Sequence, residues 1–273
     1  MCENDLVLKE LTIIVVTKNN VNGLERTLES LITIPHCQII VQDSESNDNS
    51  RLVAESFCLK NPRLRYFSES DFGIFDGMNR GIAKTQTKYV WFINAGDLLL
   101  SNSSAVRAVN RIHDEGADWL VGGSLLADVN YNVFGYWQTP TFPKPWRRLG
   151  IQSWCQQSTL YSTEFLRANG SFDKKSLIAD WSTALSLEIQ SKPILMVEPI
   201  SIFLTGGISS RIEMFDWIKL HTLGRQNANV LYLNNLYFDY CISFIGWLIL
   251  RYPTSTKLLL KWITTRGSTQ LPA

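Results

Sequence analysis

The apolar residues of this chain fall into two alternating patterns. Leu11-Thr12-Ile13-Ile14-Val15-Val16 is a short, continuous, β-branched run, the mark of a strand buried on both faces. Leu24, Leu28, Leu31 and Ile32 then recur at helical spacing. Asn22 followed by Glu25 resembles a capping box at the start of that helix. Gln38 to Gln42 reads as a second strand ending at Asp43, Ser50 to Lys60 as a helix, and Leu64 to Ser68 as a strand. Tyr89 to Ile93 reads as a fourth strand ending at Asn94. Such alternation predicts right-handed βαβ units and an α/β fold with a mostly parallel sheet flanked by helices.

The second half is less regular. Val121 to Trp137 has strand-like alternation around Tyr131-Asn132, and Pro140, Pro143 and Pro145 mark a loop. Ile178, Trp181, Leu185 and Ile189 make a helical face that starts beside Asp180. Beyond Gly206-Gly207 the pattern is helical to the end. The chain therefore divides into a sheet-bearing domain, 1–210, and a C-terminal helical appendage, 211–273.

Composition narrows the function. With 45% hydrophobic residues and a net charge of +1, disorder is excluded. The balance of 26 basic against 25 acidic residues argues against nucleic acid as a partner. The 5 cysteines show no C-x-x-C pair, and His36, His113 and His221 have no metal-ligand spacing, so a zinc site is not expected. No signal peptide is visible, and the expected location is the cytoplasm. From Cys241 onward the charges are all basic (Arg251, Lys257, Lys261, Arg266), among Trp247, Tyr252 and Trp262. The apolar run Tyr240 to Leu250 is too short to span a bilayer. These features predict peripheral docking on the inner face of the cell membrane. A plain helix packed on the first domain or a second subunit is the competing reading.

Ligands of parallel sheets bind beyond the carboxyl ends of the strands. Here that rule selects the loops Thr17 to Asn22, Asp43 to Ser50, Glu69 to Asn79 and Asn94 to Asp97. Asn94-Ala95-Gly96-Asp97 sets an amide and a carboxylate at a strand end, suited to Mg²⁺ or Mn²⁺ shared with a diphosphate, or else to a simple turn. Asp43 suits a base N–H or a ribose hydroxyl, or else turn and cap chemistry. Ser68-Glu69-Ser70-Asp71-Phe72-Gly73-Ile74-Phe75-Asp76-Gly77-Met78-Asn79-Arg80-Gly81-Ile82-Ala83 joins a carboxylate cluster to an Asn-Arg pair, and Arg80 offers a cation to phosphate.

That last stretch closely resembles the motif E-x-D-x-G-I-Y-D-A-M-N-K-G-I of glycosyltransferase family 2. Phe75 stands at its Tyr, Gly77 at its Ala and Arg80 at its Lys. Val16-Thr17-Lys18-Asn19-Asn20 resembles the family's first-strand loop, and Asp43-Ser44-Glu45-Ser46-Asn47-Asp48 its D-G-x-S-x-D loop. Phe92-Ile93-Asn94-Ala95-Gly96-Asp97 resembles its F-L-N-A-G-D version of the D-x-D motif. Four motifs in order carry far more weight than any one. The likeness runs from about Leu11 to about Ser210, and by eye is strongest to enzymes of exopolysaccharide, capsule or O-antigen assembly of the colanic-acid type.

The resemblance implies a GT-A fold and transfer of a sugar, with inversion, from a nucleoside diphosphate sugar. UDP is favoured, with GDP and dTDP open. The implied acceptor is a saccharide on a polyprenyl diphosphate. Thr17, Asn19 and Asp43 would contact the nucleoside, and Asp71, Asn79 and Arg80 would shape the base, ribose or diphosphate pocket. Asp97 would hold the Mn²⁺ or Mg²⁺, with the neutral amide of Asn94 replacing the first Asp. Inversion needs one general base. The candidate is Asp180 in Ile178-Ala179-Asp180-Trp181, which follows Gly170-Ser171-Phe172-Asp173 as the family's A-D-Y follows G-x-F-D. Its plainer reading is an N-cap, and Asp173 is the second choice. Gln157, in Trp154-Cys155-Gln156-Gln157-Ser158, matches the acceptor-side H-Q segment and would bind a sugar hydroxyl or phosphate. Cys155 lacks a partner histidine for nucleophilic chemistry. Gly206-Gly207-Ile208-Ser209 resembles the closing G-G-V-S segment. The alternative is a catalytically silent relative acting as a membrane-associated partner, which only Asn94 favours. A nucleotidyltransferase would want a Gly-rich, basic loop after the first strand, and no G-x-G-x-x-G supports a dehydrogenase or methyltransferase.

Overall fold

The computed structural model describes residues 3–137, 153–170, 172–206, 213–228, 230, 239, 241 and 243–245. A 3₁₀ helix, Glu3–Glu10, leads into β1 (Leu11–Thr17), followed by α1 (Val21–Ile32), β2 (Gln38–Asp43), α2 (Ser50–Lys60), β3 (Leu64–Ser68), α3 (Ile74–Lys84) and β4 (Tyr89–Asn94). β1 is parallel to β2 and β4, and β2 to β3. The parallel half predicted from the sequence is thus present. The cap of α1 differs: Asn20, not Asn22, is the N-cap, and its Oδ1 accepts from the Gly23 N–H at 3.2 Å.

The sheet continues as β5 (Leu98–Leu99), β6 (Trp119–Ala127), β7 (Val133–Trp137), β8 (Thr159–Ser162) and β9 (Ile194–Leu204), with α4 (Asn102–Asp114), α5 (Thr163–Asn169), α6 (Ala179–Gln190) and α7 (Met214–Asn227). The strand order is β3-β2-β1-β4-β8-β6-β9-β5, with β7 on β6. β8 runs antiparallel to both β4 and β6, β5 antiparallel to β9, and β6 parallel to β9. The parallel character therefore stops at β4 and the rest is mixed. The strand-like stretch from Val121 to Trp137 is a hairpin of β6 and β7, turning where Tyr131 holds φ +63°.

Alternation along β1 sends side chains to two cores. Ile13 and Val15 join Leu24, Leu28, Val109 and Ile112 on one face. Ile14 and Val16 join Phe75, Met78, Ile82, Trp181 and Leu185 on the other. α3 lies so close to β1 that a Cβ on Gly81 would stand 2.5 Å from Ile14 Cγ2. α6 is held in turn by α7: a Cβ on Gly224 would stand 2.8 Å from the Trp181 ring. Arg225 of α7 is buried and donates to Asp239 at 2.6 Å and to Ser243. The Pro140 to Pro145 loop, the boundary near 210 and most of the apolar and basic C-terminal segment lie outside the described residues. No helix among the described residues is long and apolar enough to cross a membrane.

Candidate active site

The carboxyl ends of β1, β2, β3 and β4 meet at one edge, and their loops are tied together. Asn19, at φ +50°, donates its N–H to Ser46 Oγ at 2.8 Å and accepts the Asn47 N–H at 2.8 Å. Asp43 is buried. Its Oδ1 accepts from the Ser46 hydroxyl at 2.5 Å and its Oδ2 from the Tyr66 hydroxyl at 2.6 Å. Burial, then the bond to Asp43, push the Tyr66 phenol up to about 12. Ser44 donates to Asp71 Oδ1 at 2.8 Å, and the Gly73 N–H reaches the same oxygen at 2.9 Å. Asp43 and Asp71 thus brace the rims of their loops. Thr17 Oγ1 is buried without a partner among the described residues.

α3 carries two devices. Arg80 pairs with Glu69 and Asp76, each at 3.3 Å, while Lys84 pairs with Glu69 at 3.0 Å. The hydrogen bond from Lys84 is the main cause holding the Glu69 carboxyl below its ordinary range, with Arg80 adding to it. Arg80 therefore reaches the cleft already partnered, though a third of its side chain is exposed. Asn79 is a clamp: its Nδ2 donates to the Phe172 carbonyl at 2.8 Å and its Oδ1 accepts the Phe172 N–H at 2.9 Å. That pairing brings the segment ahead of α6 down onto α3.

The β4–β5 loop is stitched to α1. Asn20 Nδ2 donates to the Ala95 carbonyl at 2.9 Å, and the Gly96 N–H donates to the Thr27 hydroxyl at 2.9 Å. Gly96 takes φ +109°, a conformation glycine adopts freely. Its carbonyl accepts from the Tyr131 hydroxyl at 2.8 Å, with the Arg26 guanidinium 4.7 Å over the Tyr131 ring. Asn94 Oδ1 is buried and unpartnered among the described residues. Asp97 is 5% exposed. Its Oδ2 accepts from Gln157 Nε2 and its Oδ1 from the Leu204 N–H, both at 2.8 Å. Burial outweighs these two bonds and raises its carboxyl to about 7.

The arrangement is ill suited to the expected metal. Asn94 Oδ1 is unpartnered among the described residues but buried, and the Asp97 carboxylate is turned inward and bonded at both oxygens. Among the described residues no three His, Cys, Asp or Glu side chains converge to hold an ion. The residues of this loop do not fit a carboxylate-held cation. The turn or cap role weighed for Asp97 differs too, because its bonds reach β9 and the turn before β8.

Asp180 sits in the first turn of α6, half-buried, and the N-cap is Ile178 rather than Asp180. Burial raises the Asp180 carboxyl to about 6, against the N–H bonds of Trp181 and of its own backbone. Its charge and the phenol of buried Tyr161 oppose each other, after burial itself, in keeping that phenol neutral. Tyr161 donates to Gln156 at 3.0 Å, while the neighbouring Gln157 donates to Asp97. Asp173 is exposed and accepts the Lys175 N–H at 3.0 Å, as a turn carboxylate does. The buried Cys155 thiol is pushed up to about 12, chiefly by burial, unfit for a nucleophile. Gly206 holds φ +98°, while 207–209 lie outside the described residues. Tyr131 and Thr27 escaped sequence reasoning because each lies far along the chain from the Gly96 loop it supports, as did Tyr161 beside Gln156.

A family model described as glycosyl transferase family 2 matches residues 12–166. An uncharacterized glycosyltransferase of Rickettsia bellii is 29% identical over 34% of this chain, a match spanning 14% of that protein. A PGL/p-HBAD biosynthesis glycosyltransferase of Mycobacterium tuberculosis is 23% identical, covering 76% of this chain and 82% of that one. Among solved structures, S. aureus TarS 1-349 in complex with UDP-GlcNAc superposes with a TM-score of 0.66 at 15% identity, over 88% of this chain and 72% of that one. The mannosyltransferase PcManGT of Pyrobaculum calidifontis, in complex with GDP-Man and Mn²⁺, superposes with a TM-score of 0.62 at 15% identity, over 96% of this chain and 76% of that one. The likeness to these structures shows the fold, GT-A.

Proposed function

Because the chain belongs to glycosyl transferase family 2, and is a glycosyltransferase of nucleotide-sugar donors, we propose that it moves the sugar with inversion, UDP-linked in preference, to a lipid-linked saccharide in polysaccharide assembly. The observation that carries the reading is Asp180. A carboxylate raised to about 6 is mostly ionised at pH 7 yet basic enough to take a proton. The Asn79–Phe172 clamp draws the segment ahead of it to the strand-end cleft.

In this reading the acceptor hydroxyl gives its proton to an Asp180 carboxylate oxygen as its own oxygen attacks the anomeric carbon. The bond from that carbon to the diphosphate oxygen breaks, and the nucleoside diphosphate leaves with the electron pair. Thr17 Oγ1 and Asn94 Oδ1 offer unsatisfied polar atoms at the ends of adjacent strands, which cost about 1–3 kcal/mol each while unbonded. A ribose or sugar hydroxyl would satisfy either one, whereas a phosphate oxygen could only accept from Thr17 Oγ1. Asn19, Asp43 and Asp71 shape the nucleoside side of the cleft, Arg80 brings a cation to it, and Gln157 backs the acceptor side. The C-terminal part, 211–273, would hold the enzyme at the inner membrane face, a reading supported by its all-basic charges beyond Cys241.

The test is thermal stabilisation of the purified protein by UDP, GDP, dTDP and CDP, followed by sugar transfer with the donor of whichever nucleotide binds. A nucleotide at a hundredfold excess over Kd adds about 2.7 kcal/mol. A shift with one nucleotide and loss of transfer in Asp180→Asn are expected. No shift with any of the four would favour the silent-partner reading, which Asn94 and the inward Asp97 support.

A further inference from the structure

We infer that Asp97 is a structural tie and not a metal ligand, so that a divalent cation accompanying the donor diphosphate is not anchored in the β4–β5 loop. The inference rests on the glycosyltransferase reading only for the diphosphate.

The geometry of the partners carries the argument. β5 pairs with β9 through Leu98↔Ile202 and Leu99↔Ser201, and that ladder ends beside Asp97. The Leu204 N–H lies beyond its last rung, and Asp97 Oδ1 accepts it at 2.8 Å in place of a backbone carbonyl. Oδ2 takes Gln157 Nε2 at 2.8 Å, and Gln157 in turn accepts from Cys155 Sγ at 3.3 Å. One carboxylate thus joins the β4–β5 loop, the end of β9 and the turn ahead of β8.

Those are also the positions a cation would need. Mg²⁺ binds oxygen at about 2.0–2.1 Å with near-octahedral demands. An ion approaching Oδ1 or Oδ2 would face N–H hydrogens already aimed at them, partial positive charges that repel it. The loop's backbone leaves no second anchor. The Ala95 carbonyl is taken by Asn20, the Gly96 carbonyl by Tyr131, and the Asp97 carbonyl by Thr27. Asn94 Oδ1 remains as a lone neutral oxygen. An octahedral ion held by it alone on the protein side would take its other ligands from phosphate and water, leaving Asp97 untouched.

The test compares wild type with the isosteric Asp97→Asn, in which Oδ1 keeps the Leu204 bond and Gln157 turns its amide over to meet the new NH₂. Mn²⁺ binding is measured by electron paramagnetic resonance with MnCl₂ alone and with UDP, GDP, dTDP or CDP. Affinities for Mn²⁺ within twofold of each other in the two proteins, including no binding by either, are expected. Binding to wild type weakened tenfold or more in Asp97→Asn would overturn the inference. Should the variant not fold, wild type carrying a ¹³C-carboxyl aspartate at position 97 alone, introduced with a suppressor tRNA, decides: a directly bonded ¹³C-carboxylate coupling to Mn²⁺ would overturn it, and its absence supports it. Failure of all four nucleotides to bind would sink the proposed function instead, while the Mn²⁺ comparison would still read out Asp97.

Discussion

Asp97→Asn should change how stability responds to pH, by an amount the structure lets us work out. The native carboxyl is raised to about 7, whereas its ordinary value is 3.8. Between those values the folded state holds the proton and the unfolded state has released it. Stability therefore falls as pH rises through that window and levels off above the native value. At pH 5 more than a third of this loss is already present, and at pH 8 nearly all of it is. Integrating between the two gives about 2–3 kcal/mol. An asparagine does not titrate, so Asp97→Asn should lose none of it. Asp180 is also raised by burial but is present in both proteins and cancels in the difference. The assay is urea unfolding of both proteins at pH 5 and pH 8. The stability of the variant relative to wild type should rise by about 2–3 kcal/mol from the lower to the higher pH. A difference that stays constant across that range would refute a buried carboxylate whose desolvation outweighs its two hydrogen bonds.

Asp180→Asn should lower the rate of sugar transfer roughly 10²–10⁴-fold with little change in nucleotide affinity, read by steady-state kinetics against nucleotide titration. In wild type, kcat/KM should fall tenfold per pH unit below about 6, where Asp180 takes up its proton, and that limb should be absent from the residual activity of the variant. Gly81→Ala should cost about 1–3 kcal/mol in urea unfolding, because the added methyl meets Ile14 Cγ2 at 2.5 Å on a strand that cannot shift. Asn79→Ala should release the Phe172 backbone, costing about 1–3 kcal/mol and lowering kcat, with protease cleavage between 170 and 178 as the readout of the freed segment.

The sequence by itself determined the parallel half of the fold and the edge that carries the candidate site. β1, β2 and β4 are buried on both faces, so each carries a continuous run of β-branched or aromatic residues (Ile13 to Val16, Ile39 to Val41, Tyr89 to Ile93), a pattern that needs no partner to be read. The four polar loops follow because strand ends in such sheets open to ligand. The motif around Asp71 to Arg80 was equally legible, since its members lie within one loop and one helix. What each member does was decided by tertiary structure. Nothing local to Asn79 shows that its amide is spent on Phe172, 93 residues on. Nothing local to Asp97 shows that Gln157 and Leu204 turn it inward. The mixed half of the sheet was hidden for the same reason. β5 has 2 residues and β8 has 4, too few to show a period, and they are strands only because β9, β4 and β6 supply their hydrogen bonds. A carboxylate's type is written in the chain, but its direction and its proton affinity come from neighbours that only folding brings within hydrogen-bonding reach.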